Sequence, residues 1–132
     1  MIEQLINFET AKLAKEKGFN ELCNNNVWRE NEYSESIGKN DEYTTIRCSA
    51  PTQSLLQKWL RDKHNIHINI HYTFGAVESY IAIVNREVIR DPELKELGVI
   101  GERSEVMLDH KLFDKYEEAL EKSLQEGLKL IK

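Results

Sequence analysis

The spacing of apolar residues changes along the chain, and each change marks an element. Phe8, Ala11 and Ala14 recur at helical intervals with Leu13 beside them, which predicts a helix over Phe8–Lys17. Asn7 stands at its N-cap position with Glu9 in the first turn. Lys15 and Lys17 occupy the last turn, Gly18 is placed for a left-handed cap, and Phe19 follows as its apolar contact. From Asn20 to Cys48 the pattern loosens. Val27–Tyr33 and Tyr43–Cys48 have strand composition and predict an irregular hairpin, separated by the polar stretch Ser34–Asp41. Leu55, Leu56, Trp59 and Leu60 then return to helical spacing behind Pro51, which suits a first helical position, and this helix should end near His64-Asn65. The period drops to two at once. Ile66, Ile68, Ile70 and Tyr72 alternate with His67, Asn69, His71 and Thr73, the signature of a half-buried strand. Phe74-Gly75-Ala76 reads as a turn and Ser79–Val84 as the partner strand. Asp91-Pro92-Glu93 opens a short helix that Gly98 stops, and Val99–His110 is ambiguous. Asp114 to Glu117 has capping-box spacing for a last helix reaching Ile131, with Ala119, Leu120, Leu124 and Leu128 on its apolar side.

These elements predict one α+β domain over residues 1–132: a small antiparallel sheet, formed by a β-hairpin plus the irregular hairpin, covered by two or three helices. The expected core is Phe8, Ala11, Leu55, Leu56, Trp59, Ile66, Ile68, Ile70, Ile81, Ile83, Leu120, Leu124 and Leu128. A length of 132 residues suits a single domain and is enough to bury a core without metal or disulfide staples. Its two cysteines, Cys23 and Cys48, are too few for a disulfide framework or a zinc site and read as free thiols of a reducing cytoplasm. No apolar run approaches the roughly 18 residues of a membrane span, and the first fifteen residues lack a signal-peptide pattern.

Net charge is −5 but unevenly spread. Residues 51–90 carry five basic groups against three acidic ones, whereas both flanking segments are acidic. The basic groups Lys58, Arg61, Lys63, Arg86 and Arg90 define a possible nucleic-acid footprint, a weak one on an acidic chain. His67 and His71 share a strand face yet lie four residues apart, about 13 Å, too far to ligate one ion unaided. Neither a metal nor a cofactor is therefore expected. Glu117, Glu118 and Glu121 read as solubilising charges of the last helix, with Glu118 and Lys122 at pairing distance. Gly98-Val99-Ile100-Gly101 matches a bare G-x-x-G, but its apolar centre and acidic flanks favour an ordinary turn. Nucleophile elbows, Walker loops and H-E-x-x-H are missing from the sequence, so no enzyme is expected. Trp59, in line with leucines, belongs to the core. Trp28, Tyr33 and Tyr43, in the polar hairpin region, are the candidate partner contacts.

Three stretches are familiar in combination. Phe8-Glu9-Thr10-Ala11-Lys12-Leu13-Ala14-Lys15-Glu16-Lys17-Gly18-Phe19 is the first. Ala50-Pro51-Thr52-Gln53-Ser54-Leu55-Leu56-Gln57-Lys58-Trp59-Leu60-Arg61-Asp62-Lys63-His64-Asn65-Ile66-His67-Ile68 is the second and most specific. Tyr116-Glu117-Glu118-Ala119-Leu120-Glu121, running on to Leu128-Lys129-Leu130-Ile131, is the third. Together they resemble small uncharacterised proteins of bacterial phages and prophages, over about a third of the residues. The resemblance implies a bacterial cytoplasm and a mobile-element setting, and it carries over no functional residue. The expected function is contact with a host or phage protein, with an accessory nucleic-acid role as the alternative.

Overall fold

The computed structural model describes residues 4–43, 46–73, 79–88, 102–107 and 113–131. Helix α1 spans Phe8–Glu16 and begins where its sequence requires, with Asn7 Oδ1 accepting from the Thr10 N–H at 2.8 Å. Gly18 takes φ +92° just beyond it, and the Phe19 N–H donates to the Ala14 carbonyl at 3.0 Å, closing the helix and turning Phe19 inward.

The irregular region resolves differently from the expectation. Instead of a strand over Val27–Tyr33 there are two strands, β1 (Cys23–Arg29) and β2 (Glu32–Gly38), joined by a tight turn at Glu30-Asn31. Asn31 supplies the left-handed conformation at φ +63°, which asparagine tolerates better than most residues. The three asparagines that argue against a helix lie inside β1. Asn26 is fully buried there, its side chain bonded to the Ser34 and Ser36 hydroxyls across the hairpin at 2.9 and 2.8 Å. Of the predicted strand Tyr43–Cys48, Cys48 lies in the two-residue β3 (Cys48–Ser49), which pairs with β1 on the side away from β2, and residues 44–45 fall outside the described residues.

Helix α2 covers Gln53–His64 and starts two positions later than expected. Thr52 is its N-cap, with Oγ1 accepting from the Leu55 N–H, and Pro51 lies outside the helix. Asn65 ends it at φ +55°. Strand β4 (Ile66–Thr73) follows directly and pairs with β5 (Ser79–Val88), which pairs with β6 (Glu102–Met107). The ambiguous stretch Val99–His110 thus contains a strand. Helix α3 covers Tyr116–Lys129 with Lys115 as N-cap and no capping side chain, so the Asp114 capping box does not form.

The architecture is α+β, as expected, and among the described residues the strands form two three-stranded antiparallel sheets, β2-β1-β3 and β4-β5-β6, rather than a single sheet. A continuous core joins the two described sheets to the three described helices through Ile6, Ala11, Phe19, Val27, Leu56, Leu60, Ile66, Val84, Leu124 and Leu128. Phe8, Leu55 and Ile70 only border it. On β5 the expected core face is inverted. Ile68 pairs with Val84 and Ile70 with Ala82, so Ala82 and Val84 face the helices, while Ile81 and Ile83 lie opposite His71 and Asn69 on the outer face. The predicted turn at 74–76, the short helix from Asp91, the Gly98–Gly101 loop and Arg90 fall outside the described residues. Among the described residues no helix is long and apolar enough to cross a membrane.

Candidate protein-docking groove

The amphipathic spacing that makes α2 a helix also leaves one of its stripes half open. Leu56 and Leu60 are fully buried against the core. Leu55, Lys58, Trp59, Asp62 and Lys63, at intervals of three and four, turn along the helix toward the segment leading into β1. In that segment Cys23 is buried, and the preceding Leu22 points outward with 57% of its surface exposed. Between Leu22 and α2 lies an open groove of about 360 Å³, completed by Glu21.

Its floor is held rigidly. The Trp59 ring stands edge-on to Phe19 at 5.1 Å and 83°, and to His64 at 4.7 Å and 70°. Trp59 is therefore a core residue, as its leucine neighbours imply, that shows 8% of its surface at the base of the groove. The rim has both signs of charge. Lys58 and Lys63 stand on α2 with Asp62, whose carboxylate is also 3.7 Å from Arg61, and Glu21 stands on the opposite wall. An apolar floor with a charge-balanced rim excludes water from a partner's side chain without attracting a polyanion.

The sequence-predicted partner aromatics do not form one exposed surface. Trp28 is the extra residue of a β-bulge between the pairs Val27–Tyr33 and Arg29–Glu32, and the Arg47 guanidinium covers its ring at 5.0 Å. Tyr33 faces the core and donates its hydroxyl to the Ile6 carbonyl at 2.9 Å. Burial raises its pKa, helped by the nearby Glu121 carboxylate. Tyr43 lies across Gly38, where an added Cβ would come 2.6 Å from its hydroxyl oxygen. Of the basic set, Lys58, Arg61 and Lys63 are exposed on α2. Arg86 sits opposite Ile66 in the β4–β5 register, and Arg90 is outside the described residues. His67 and His71 lie on the outer sheet face, and among the described residues no three His, Cys, Asp or Glu side chains gather as an ion would require.

Glu121 is not the solubilising charge expected of it. Its carboxylate accepts from the Thr10 hydroxyl, from the Asn7 N–H at 3.2 Å and from Gln53 Nε2 at 3.0 Å, while Gln125 Nε2 donates to Thr10 Oγ1 at 2.9 Å. This clasp ties α3 to the starts of α1 and α2, where both helix dipoles favour an anion. Thr10 is fully buried within it, and the arrangement serves to hold the helices together. The sequence gives one hint, that Gln53, Glu121 and Gln125 border apolar stripes, and it does not separate a clasp from a solvated flank. Lys122 pairs with Glu126 at 3.6 Å. Both thiols are buried and unbridged. Burial lifts Cys23 to about 11, against a smaller opposing effect of the Ser49 hydroxyl, and it also raises Cys48.

A second depression, along α1, is lined by Phe8, Leu13 and Gln125, with the Lys12 ammonium over the Phe8 ring at 5.5 Å. No family model, curated protein or solved structure matches the chain.

Proposed function

We propose that the protein is a small non-enzymatic module of the phage or prophage type, working in the bacterial cytoplasm by binding a host or phage protein in the groove between α2 and Leu22. The observation that carries this reading is the composition of that groove: Trp59 and Leu55 as floor, an exposed leucine as wall, and two lysines balanced by Glu21 and Asp62. A nucleic-acid surface needs an excess of positive charge to release counterions, and this rim has none. Buried, protonated thiols support a role without covalent chemistry. The mobile-element setting rests on the resemblance of the Ala50–Ile68 block.

The test is affinity capture from bacterial lysate with the wild-type chain and with Leu22→Asp, an exposed substitution that leaves the core untouched. One protein should be enriched by the wild type and lost with the variant. Recovery of nucleic acid that disappears on Lys58→Glu and Arg61→Glu substitution would favour the accessory nucleic-acid role instead. Capture indifferent to Leu22→Asp would place the binding surface elsewhere.

A further inference from the structure

We infer that Asn7, Thr10 and Gln53 form a carboxylate-binding site that the chain fills from within. Glu121 is its tethered ligand, and a small free carboxylate takes its place once that side chain is removed. What binds the groove along α2 has no bearing on this site.

Three observations carry it. First, the donors converge on two oxygens of one flat group. Glu121 Oε2 accepts from the Thr10 hydroxyl and from the Asn7 N–H at 3.2 Å, and Oε1 accepts from Gln53 Nε2 at 3.0 Å. All three donors are neutral, and such groups bond an ionised acceptor about twice as strongly as a neutral one. Second, each donating side chain is held by contacts other than Glu121. Thr10 is fully buried, and its N–H donates to Asn7 Oδ1 at 2.8 Å. Its Oγ1 accepts from Gln125 Nε2 at 2.9 Å, which turns the hydroxyl hydrogen away from Gln125 and onto the carboxylate. Gln53 is 5% exposed, its Nε2 also donates to the Glu117 carbonyl at 3.0 Å, and its N–H donates to the Gln4 carbonyl at 2.9 Å. With the acceptor gone these donors stay in place, buried and unpaired, at a cost that an incoming anion relieves. Third, the site is within reach of solvent and α3 has other anchors. Glu121 is only partly buried, while Leu120, Leu124 and Leu128 seat α3 in the core.

The probe is sodium formate on the full-length variant Glu121→Gly, which clears Cβ and Cγ so that formate can lie where Cδ and its oxygens were. Urea unfolding is followed in formate and in sodium chloride of equal ionic strength, and contact of formate with the folded variant is read by saturation-transfer NMR. At formate ten times its dissociation constant, the folded-to-unfolded ratio of Glu121→Gly should rise about tenfold over chloride. Glu121→Ala, which keeps helix propensity but retains a Cβ in the way, should respond in the same direction and less. Wild type should gain nothing. Adding Thr10→Val to Glu121→Gly should abolish the gain, because valine replaces the hydroxyl by a methyl group. If Glu121→Gly is unfolded in plain buffer, sucrose restores it first and formate is titrated on top. Formate that does no more than chloride, or that acts equally on wild type or on the Thr10→Val double variant, would overturn the site.

Discussion

Asn40 illustrates how single polar residues hold the looser half of the molecule. It is buried, its Nδ2 donates to the Phe19 carbonyl at 2.6 Å, and its Oδ1 accepts from the Ser49 N–H at 2.8 Å, so one side chain joins the end of α1 to β3. Replacing it by alanine leaves a buried donor and acceptor unpaired and should lower stability by about 2–3 kcal/mol in urea unfolding. Asn40→Asp should also be destabilising, because a carboxylate cannot donate to Phe19. A loss below about 0.5 kcal/mol in both would show that the loop is held by something else. The buried thiols give a second expectation. Cys23, Cys48 and Tyr33 all have pKa values raised by folding, so each favours the folded chain fully at neutral pH and loses that contribution as alkali ionises the unfolded form first. The urea midpoint should decline from about pH 9 toward Cys23's folded value of about 11, and Cys23→Ala should flatten the decline. At pH 8 neither thiol should react with an aromatic disulfide until the chain is unfolded. Rapid labelling of the native protein would contradict their burial.

Among the elements, close approach matters most where α3 crosses the core. A Cβ on Gly127 would lie 3.3 Å from both Ile66 Cγ2 and Leu60 Cδ1. Alanine there gains about 1 kcal/mol of helix propensity and crowds two buried side chains, so Gly127→Ala should change stability by less than about 1 kcal/mol, while Gly127→Val should cost about 2 kcal/mol or more. Thermal denaturation of the two variants decides this, and equal melting temperatures would mean the helices have room to part. The same contrast tests β5. Ile81→Lys on the outer face should be tolerated, and Val84→Lys, in the core, should unfold the domain. That face marks the limit of what the sequence shows. The β4 alternation identifies a strand because Ile66, Ile68 and Ile70 each stand next to a polar residue. In β5 the run from Tyr80 to Val84 is apolar on both sides, so nothing local says which set looks inward, and the β4 partner decides it. Likewise Glu30-Asn31 turns the chain within a stretch of strand composition because the left-handed geometry of Asn31 matters more there than the propensity of its neighbours. The three described helices were legible from their local apolar stripes, and α1 from its cap as well, whereas the N-caps of α2 and α3 differ from those expected. The groove was only partly so, since its α2 stripe is visible in the sequence and its Leu22 wall depends on where β1 begins.

On the scale of the whole molecule, Glu121 connects the starts of two helices to the body of a third. Glu121→Ala should cost about 3 kcal/mol, and Glu121→Gln somewhat less, since an amide keeps one acceptor and presents its NH2 to a donor. A double-mutant cycle with Thr10→Ala should show a coupling of at least 1 kcal/mol, read from urea midpoints. Additive losses would mean the two residues act separately. The N-terminal segment completes the same junction, with Leu5 bridging to Thr52, the Gln53 N–H donating to the Gln4 carbonyl, and Lys17 Nζ donating to the Ile131 carbonyl at 2.8 Å. One extreme of the described chain is thereby tied to the start of α2 and the other to the end of α1.

This closure has a consequence for the order of events during synthesis. Thr10 leaves the ribosome 111 residues before the carboxylate that receives its hydroxyl, an interval of roughly 5–20 s at about 5–20 residues per second. For that time the first helix can lean only on β1, β3 and the residues around them, and the clasp that fixes it to the other two described helices waits for the last of them to emerge.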